Sequence, residues 1–297
     1  MSLKVTIKTV KDALKVHEEM LEHEGRLNSR HQSILKKIVQ YFGHFDVYEI
    51  PKYVVDNYYK SEQKRRNVKP QTLAREISMI NASLNLCYRL EYLETKPRML
   101  NASFKSNIRD LWLTEKEIKK LLKSARLKRN PEIEKACKIA LTTTARKTAI
   151  RELRVEQINW NEGERGLINF NNGWMKNKAK PRAVVPVPKS IEDMLRNACK
   201  ESKKGFILQT RSGNKIGDPL YILKECARDI GLDENICFHT LRHTGAVHMA
   251  MNNVPLMELS RYMGHKNVEV TERVYAKFYP SFMKLSSEVA GGLINGC

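Results

Sequence analysis

Phe238-His-Thr-Leu-Arg-His-Thr244 is the stretch on which the reading of this chain turns. His239 and Arg242 stand three residues apart, so on a helix, or on its first turn, both side chains point to one face and can share a ligand. Matching groups lie on either side. Upstream are Arg146, within Thr142-Thr-Thr-Ala-Arg-Lys-Thr148, and the lysine-rich turn Lys176-Asn-Lys-Ala-Lys180; downstream are Met263-Gly-His265 and Thr271-Glu-Arg-Val-Tyr-Ala-Lys277. Guanidinium forks, imidazoles, lysines and a tyrosine together suit the handling of a phosphodiester. Its non-bridging oxygens need neutralising as charge redistributes, which planar forks do better than ammonium groups. A tyrosine nucleophile has an ordinary pKa of about 10, so nearby cations and a hydrogen-bonding histidine must favour its phenolate.

Each residue also has a plainer reading. A lone arginine is most often a surface residue and a lone histidine a satisfied core residue; Leu241, Val247 and Met251 at helical spacing show that apolar packing occurs beside His239. Lys176, Lys178 and Lys180 read equally as a solvated hairpin turn touching DNA phosphates. Tyr262 sits at helical spacing with Leu259 and Met263 and reads as packing, while Tyr279 precedes Pro280 and stands as a minor rival to Tyr275. The shared order of the clusters favours function.

In that order, from Arg146 through a lysine to His239-x-x-Arg242, His265 and Tyr275, the chain resembles the tyrosine recombinase (phage integrase) family from Leu113 to about Pro280. The first hundred residues resemble that family's helical core-binding domain in pattern and position only. The resemblance implies that Arg146 and Arg242 bind the scissile phosphate of double-stranded DNA. It further implies that His239 and His265 hydrogen-bond the phosphate or assist proton transfer, and that Tyr275 attacks to give a 3′-phosphotyrosine with no metal or nucleotide cofactor. Counting back from Val185-Pro186 points to Lys178 as general acid for the 5′-oxygen; counting back from Arg182 lands on Asn177, which keeps Lys176 as runner-up. Two positions depart from the family pattern. Thr144 replaces a glycine two residues before the first arginine, and Ala149 replaces an acidic residue three after it, which leaves Glu152 as one candidate for orienting Arg146.

The resemblance also implies a homotetramer on paired DNA sites, an accessory DNA-bending protein, and a segment after Ala276 that reaches a neighbouring subunit. Phe278, Phe282, Met283, Leu285 and Leu293 suit such docking, and a frayed terminus is the alternative. A Xer-like resolvase and a type IB topoisomerase use the same residues. A non-catalytic DNA-binding regulator is the rival from another class. The helical pattern begins almost at Met1, which leads us to expect no further module in front of it.

Working outward, a chain of 297 residues suggests two domains. Apolar spacing is helical in the first hundred residues, as in Ile34, Ile38 and Phe42 and in Leu73, Ile77, Ile80 and Leu84. We expect a helical DNA-binding domain over 1–100, a linker over 101–111 where periodicity lapses, and a catalytic domain with a C-terminal tail over 112–297. Thr114 with Glu117 at capping-box spacing starts the second domain's first helix. Strand-like runs follow at Gln157–Trp160, Leu167–Asn171 and Arg182–Val187; helices resume at Leu220–Ile230, Leu241–Met251 and Leu256–Met263, with Gly231 and Gly264 as stops. The fold class is therefore mainly α with a small antiparallel β-sheet.

The formal charge of +20 favours a polyanionic partner such as nucleic acid and gives salt-sensitive binding. Within the first domain, Lys60-Ser-Glu-Gln-Lys-Arg-Arg-Asn-Val-Lys69 reads either as a DNA-facing loop or as a solvated connection. Lys64, Arg65, Arg66, Lys69 and, in the following helix, Arg75 are the candidate DNA contacts. The cysteines, Cys87, Cys137, Cys199, Cys226, Cys237 and Cys297, form no C-x-x-C pair and read as buried free thiols. The sequence carries neither a signal-peptide pattern nor a long apolar run, so the expectation is a cytoplasmic protein, nucleoid-associated or in a host cytoplasm if virally encoded, without a membrane partner.

Overall fold

A computed structural model describes residues 6–101, 111–161, 165–171, 182–233, 235–279 and 287–290. The backbone divides into two units, Met1–Ile108 and Arg109–Cys297, each with its own core. No helix among the described residues is long and apolar enough to cross a membrane.

The first unit is four helices, α1 (Val10–His23), α2 (Ser29–Phe42), α3 (Lys52–Arg66) and α4 (Pro70–Arg89). Local chemistry sets their starts. Thr9 and Asp12 form a reciprocal capping box, Asn28 accepts from the amides of Arg30 and His31, and Pro70 occupies the first turn of α4, where its missing N–H costs nothing. The apolar stripes of α1, α2 and α4 close on Leu14, Ile38, Phe42, Leu73, Ile77, Ile80 and Leu84, all essentially without solvent contact. Tyr58 of α3 fills the remaining side, edge-on to Tyr41 and Phe42 at centroid distances of 4.8 and 5.0 Å.

The basic segment 60–69 differs from both expectations for it. Helix α3 runs on through Arg66 and ends at Asn67, whose left-handed backbone (φ 47°) stops it. Nothing in Lys60–Arg66 breaks a helix, and Glu62 at helical spacing from Arg65 and Arg66 draws both into ion pairs at 2.7 and 3.4 Å. Arg66 then reaches inward to Glu76 of α4 at 3.0 and 2.8 Å. Glu76 is 2% exposed and also accepts from the Tyr58 hydroxyl at 2.7 Å. Arg66 is therefore an internal counter-ion to Glu76, and Arg65, though exposed, is chelated by Glu62. Lys64, Lys69 and Arg75 are exposed. Removing Arg66 strands a buried carboxylate, so Arg66→Ala should cost about 3 kcal/mol of stability or more. Urea unfolding of wild type and variant would measure it.

The second unit opens with α5 (Glu115–Arg126), started by the Thr114–Glu117 capping box, and α6 (Glu132–Thr143), followed by the short α7 (Lys147–Arg151). A three-stranded antiparallel sheet follows in the order β1 (Ile158–Asn159), β2 (Leu167–Asn169), β3 (Val184–Pro186), with Ile158 opposite Ile168 and Ile168 opposite Val185. The strands are shorter than their sequence runs. Gln157 belongs to a 3-10 turn before β1, and its amide side chain donates to the Asn169 carbonyl at 2.7 Å. Helices α8 (Glu192–Glu201), α9 (Leu220–Asp229), α10 (Phe238–Met251), α11 (Leu256–Met263) and α12 (Val268–Tyr275) complete the unit. Gly231 and Gly264 both take positive φ, 70° and 67°, at helix ends. Cys87, Cys137 and Cys226 are buried free thiols, and Cys199 and Cys237 are partly exposed free thiols.

The contact between α10 and α6 positions everything that follows. It depends on Gly245, where a Cβ would lie 2.1 Å from the Leu141 carbonyl oxygen. Only a residue without a side chain lets the two backbones approach so closely.

Candidate active site

Helix α6 stops at Thr144, a fully buried residue in the left-handed region (φ 50°, ψ 23°). That conformation is the physical reason a glycine suits the position, since a β-branched side chain is strained there. The turn frees the Thr144 carbonyl from the helix and brings Arg146 to the start of α7.

Arg242, one turn into α10 and 3% exposed, takes up that carbonyl. Its Nη1 donates to Thr144 O at 2.5 Å, and its Nη2 lies 3.0 Å from Met263 O and 2.9 Å from His265 Nε2. Burial, then the neighbouring Arg146 charge, push its pKa down to about 10, so it stays cationic at neutral pH. One guanidinium thus ties together the end of α6, the end of α11 and a histidine.

His265 follows Gly264, whose left-handed backbone reverses the chain; a Cβ on Gly264 would meet the Ala183 amide at 2.8 Å, so the end of α11 abuts the start of β3. Because Arg242 donates to Nε2, the proton of neutral His265 sits on Nδ1 and faces Thr271 Oγ1 at 2.8 Å. Burial, with Arg242, Arg146 and His239 adding like charge, lowers its pKa to about 4. Burial and the charges of Arg242 and Arg146 act in the same direction on His239. His239 lines a cleft with Arg146, Lys147, Thr148, Cys237 and Arg242.

The shift of His265 sets a pH dependence. Its folded pKa lies below the unfolded value near 6.5, so the unfolded state binds more protons between the two. The stability held above pH 6.5 should therefore be lost as pH falls from 6.5 towards 4. Urea midpoints at several pH values should fall less steeply for His265→Gln than for wild type.

Tyr275 ends α12 and is 5% exposed, packed against Ala246, Val247 and Met263. Burial lifts its pKa to about 12, and Arg242 pulls it the other way. Its hydroxyl lies 3.2 Å from Nδ1 of His243, a buried residue beside Arg242 on α10. The rival tyrosines are occupied elsewhere. Tyr262 donates to Thr142 O at 2.9 Å, and the Tyr279 hydroxyl donates to Val254 O.

Lys176, Lys178 and Lys180 lie outside the described residues. Their flanks are ordered by Asn171, which donates to Arg182 O at 2.6 Å and accepts from its amide at 2.8 Å. Arg182 itself was given no role by the sequence. It lines one small cavity with Arg146, Ala149, Phe170 and Arg242. Glu152 lies 3.9 Å from Arg182 and 3.5 Å from Lys215, so its ion pairs are made there. Phe278, expected at a subunit contact, packs inside its own unit, with its ring 6.1 Å from His243 and 6.3 Å from Trp112. Phe282, Met283, Leu285 and Leu293 are outside the described residues.

The structure therefore brings Arg146, His239, Arg242 and His265 into one electrostatic cluster, with Tyr275 beside Arg242. The sequence profile of the phage integrase family matches residues 111–281, the whole of this constellation. The chain belongs to that family. Among its relatives, the integrase of Escherichia phage 186 is 26% identical over 230 residues, covering 76% of this chain and 62% of that protein. The integrase of Haemophilus phage HP1 is 28% identical over 228 residues, covering 75% and 61%. The chain thus spans about three fifths of the length of these two integrases. Among solved structures, the Tn1549 transposon integrase (residues 82–397) in complex with circular intermediate DNA superposes with a TM-score of 0.73 at 14% identity, covering 94% of this chain and 99% of that one. At that identity the likeness is one of fold, and it spans both units of this phage integrase family member.

Proposed function

We propose that this chain is a site-specific DNA recombinase of the integrase type, which cleaves and rejoins duplex DNA through a 3′-phosphotyrosine on Tyr275. The observation that carries the reading is the convergence on Arg242 of groups from Arg146 to Tyr275, a cationic cluster with an aromatic hydroxyl beside it. In this reading Arg146 and Arg242 neutralise the non-bridging oxygens. Burial, then the cationic neighbours, lower the pKa of both His239 and His265; His239 opens on the cleft to offer the phosphate a hydrogen bond, while His265 holds Arg242 in place. Lys178 protonates the departing 5′-oxygen. The phosphotyrosine conserves the energy of the broken linkage, so rejoining to a second 5′-hydroxyl needs no nucleotide.

The relatives named integrases and the DNA-bound Tn1549 enzyme support double-stranded DNA as the substrate. The active unit in this reading is a homotetramer on paired sites, assisted by a DNA-bending protein, in the cytoplasm. A suicide substrate, nicked so that the cleaved fragment diffuses away, tests the activity. Cleavage should leave the protein on the 3′-phosphate end, as a slow band on a denaturing gel. Specific binding with no adduct would sink the recombinase reading and favour a DNA-binding regulator.

A further inference from the structure

We propose that His243 is a catalytic residue of this site, the base that takes the proton from the Tyr275 hydroxyl as it attacks phosphorus. The inference rests on the reading of Tyr275 as nucleophile and deepens it. It starts from a simple requirement: a phenol at 5% exposure must deliver its proton to something within reach, and bulk water is largely excluded.

The structure narrows the acceptors. Arg242 carries only donors and cannot accept. His265 is committed at both nitrogens, to Arg242 at 2.9 Å and to Thr271 at 2.8 Å. His239 lines the cleft with Arg146 and Cys237. His243 Nδ1, at 3.2 Å, is the hydrogen-bond partner the structure gives the hydroxyl. The two rings lie 5.2 Å apart at an interplanar angle of 41°, and Phe278 packs on His243 from the side, so the pair is held rather than met by chance. With its own proton on Nε2, neutral His243 presents a lone pair at Nδ1 to the tyrosine.

The step balances. The Tyr275 Oη–P bond forms as the P–O5′ bond breaks, the tyrosine proton moves to His243 Nδ1, and the 5′-oxygen takes a proton from the general acid on its own side. In rejoining, the imidazolium of His243 returns its proton to the departing phenolate. His239 and Arg242 on α10, Arg146 at the start of α7, Arg182 before β3 and His265 after α11 are charged or titratable groups gathered at this end of the unit. Lys277 lies over Phe278. The charged residues Glu258, Arg261, Glu269, Glu272 and Arg273 of α11 and α12 are exposed, and α6 carries none beyond Lys138.

Single-turnover cleavage of the suicide substrate by wild type, His243→Ala and His243→Asn, measured from pH 6 to 9, tests the proposal. Asn keeps an acceptor near the place of Nδ1 but cannot hold a proton, so it separates proton transfer from positioning. Both variants should bind DNA and melt like folded protein yet cleave about 10²-fold more slowly at pH 7. The deficit should narrow as pH rises, and added imidazole should restore at least part of the His243→Ala rate. Cleavage by His243→Asn within threefold of wild type overturns the proposal and leaves a positioning role. So does a loss in both variants that neither pH nor imidazole changes. No adduct from wild type at all overturns the nucleophile reading as well, which keeps the two failures distinct.

Discussion

Tyr275→Phe is expected to bind its DNA site as tightly as wild type and to form no covalent complex with it, a loss of at least about 10⁴-fold in cleavage on the scale of removing a nucleophile. The substitution takes away one oxygen. Tyr275 packs against Ala246, Val247 and Met263, and phenylalanine fills that space, so the fold should persist. The oxygen lost has one hydrogen bond, to His243, which leaves little structural cost to confuse the result. Adduct surviving in Tyr275→Phe would move the nucleophile to Tyr279. The structure argues against that, because the Tyr279 hydroxyl already donates to the Val254 carbonyl and ties the segment after α12 to the loop after α10.

Arg242→Lys should keep the charge and lose about 10³-fold in cleavage, near what the loss of an arginine at a phosphoryl-transfer site costs. A lysine ammonium is a single point. The Arg242 fork spans the Thr144 carbonyl on one arm and the Met263 carbonyl and His265 on the other. With lysine, at least one of those contacts opens and His265 loses the donor that fixes its tautomer. Single-turnover cleavage on the suicide substrate, alongside a binding titration, would check this. A variant that cleaves within tenfold of wild type would mean that charge alone, not the fork, matters here.

The parts of the fold legible in the sequence are those decided locally. The Thr114–Glu117 box, the Gly231 and Gly264 stops and the apolar stripes of α2 and α4 depend on residues within a turn or two of one another, and they stand where the spacing put them. The basic segment 60–69 was harder. Whether Arg66 faces solvent or protein depends on Glu76, a carboxylate brought up by the next helix. A charge count along the chain carries no sign of that pairing.

The site shows the same division. The spacing of His239 and Arg242 made them candidates, but what holds Arg242 is two backbone carbonyls, and backbone atoms leave no trace in residue types. His243 lay inside the quoted motif without a role because its partner comes from 32 positions further on. Arg182 served only as a landmark for counting, though it reaches the same cavity as Arg146 and Arg242.

That cavity has a consequence for the resting protein. Arg146, Arg182 and Arg242 line it together with Ala149, and Glu152 stands 3.9 Å from Arg182. Burial lowers the pKa of each of the three, which means each would be more comfortable without its proton or with a counter-charge beside it. The Arg146 charge acts against those of Arg182 and Arg242, so the fold holds like charges close together there. An anion entering the cavity would ease that repulsion. In the recombinase reading that anion is a DNA phosphate, and binding it would settle the charge of the site as well as present the linkage to be cut.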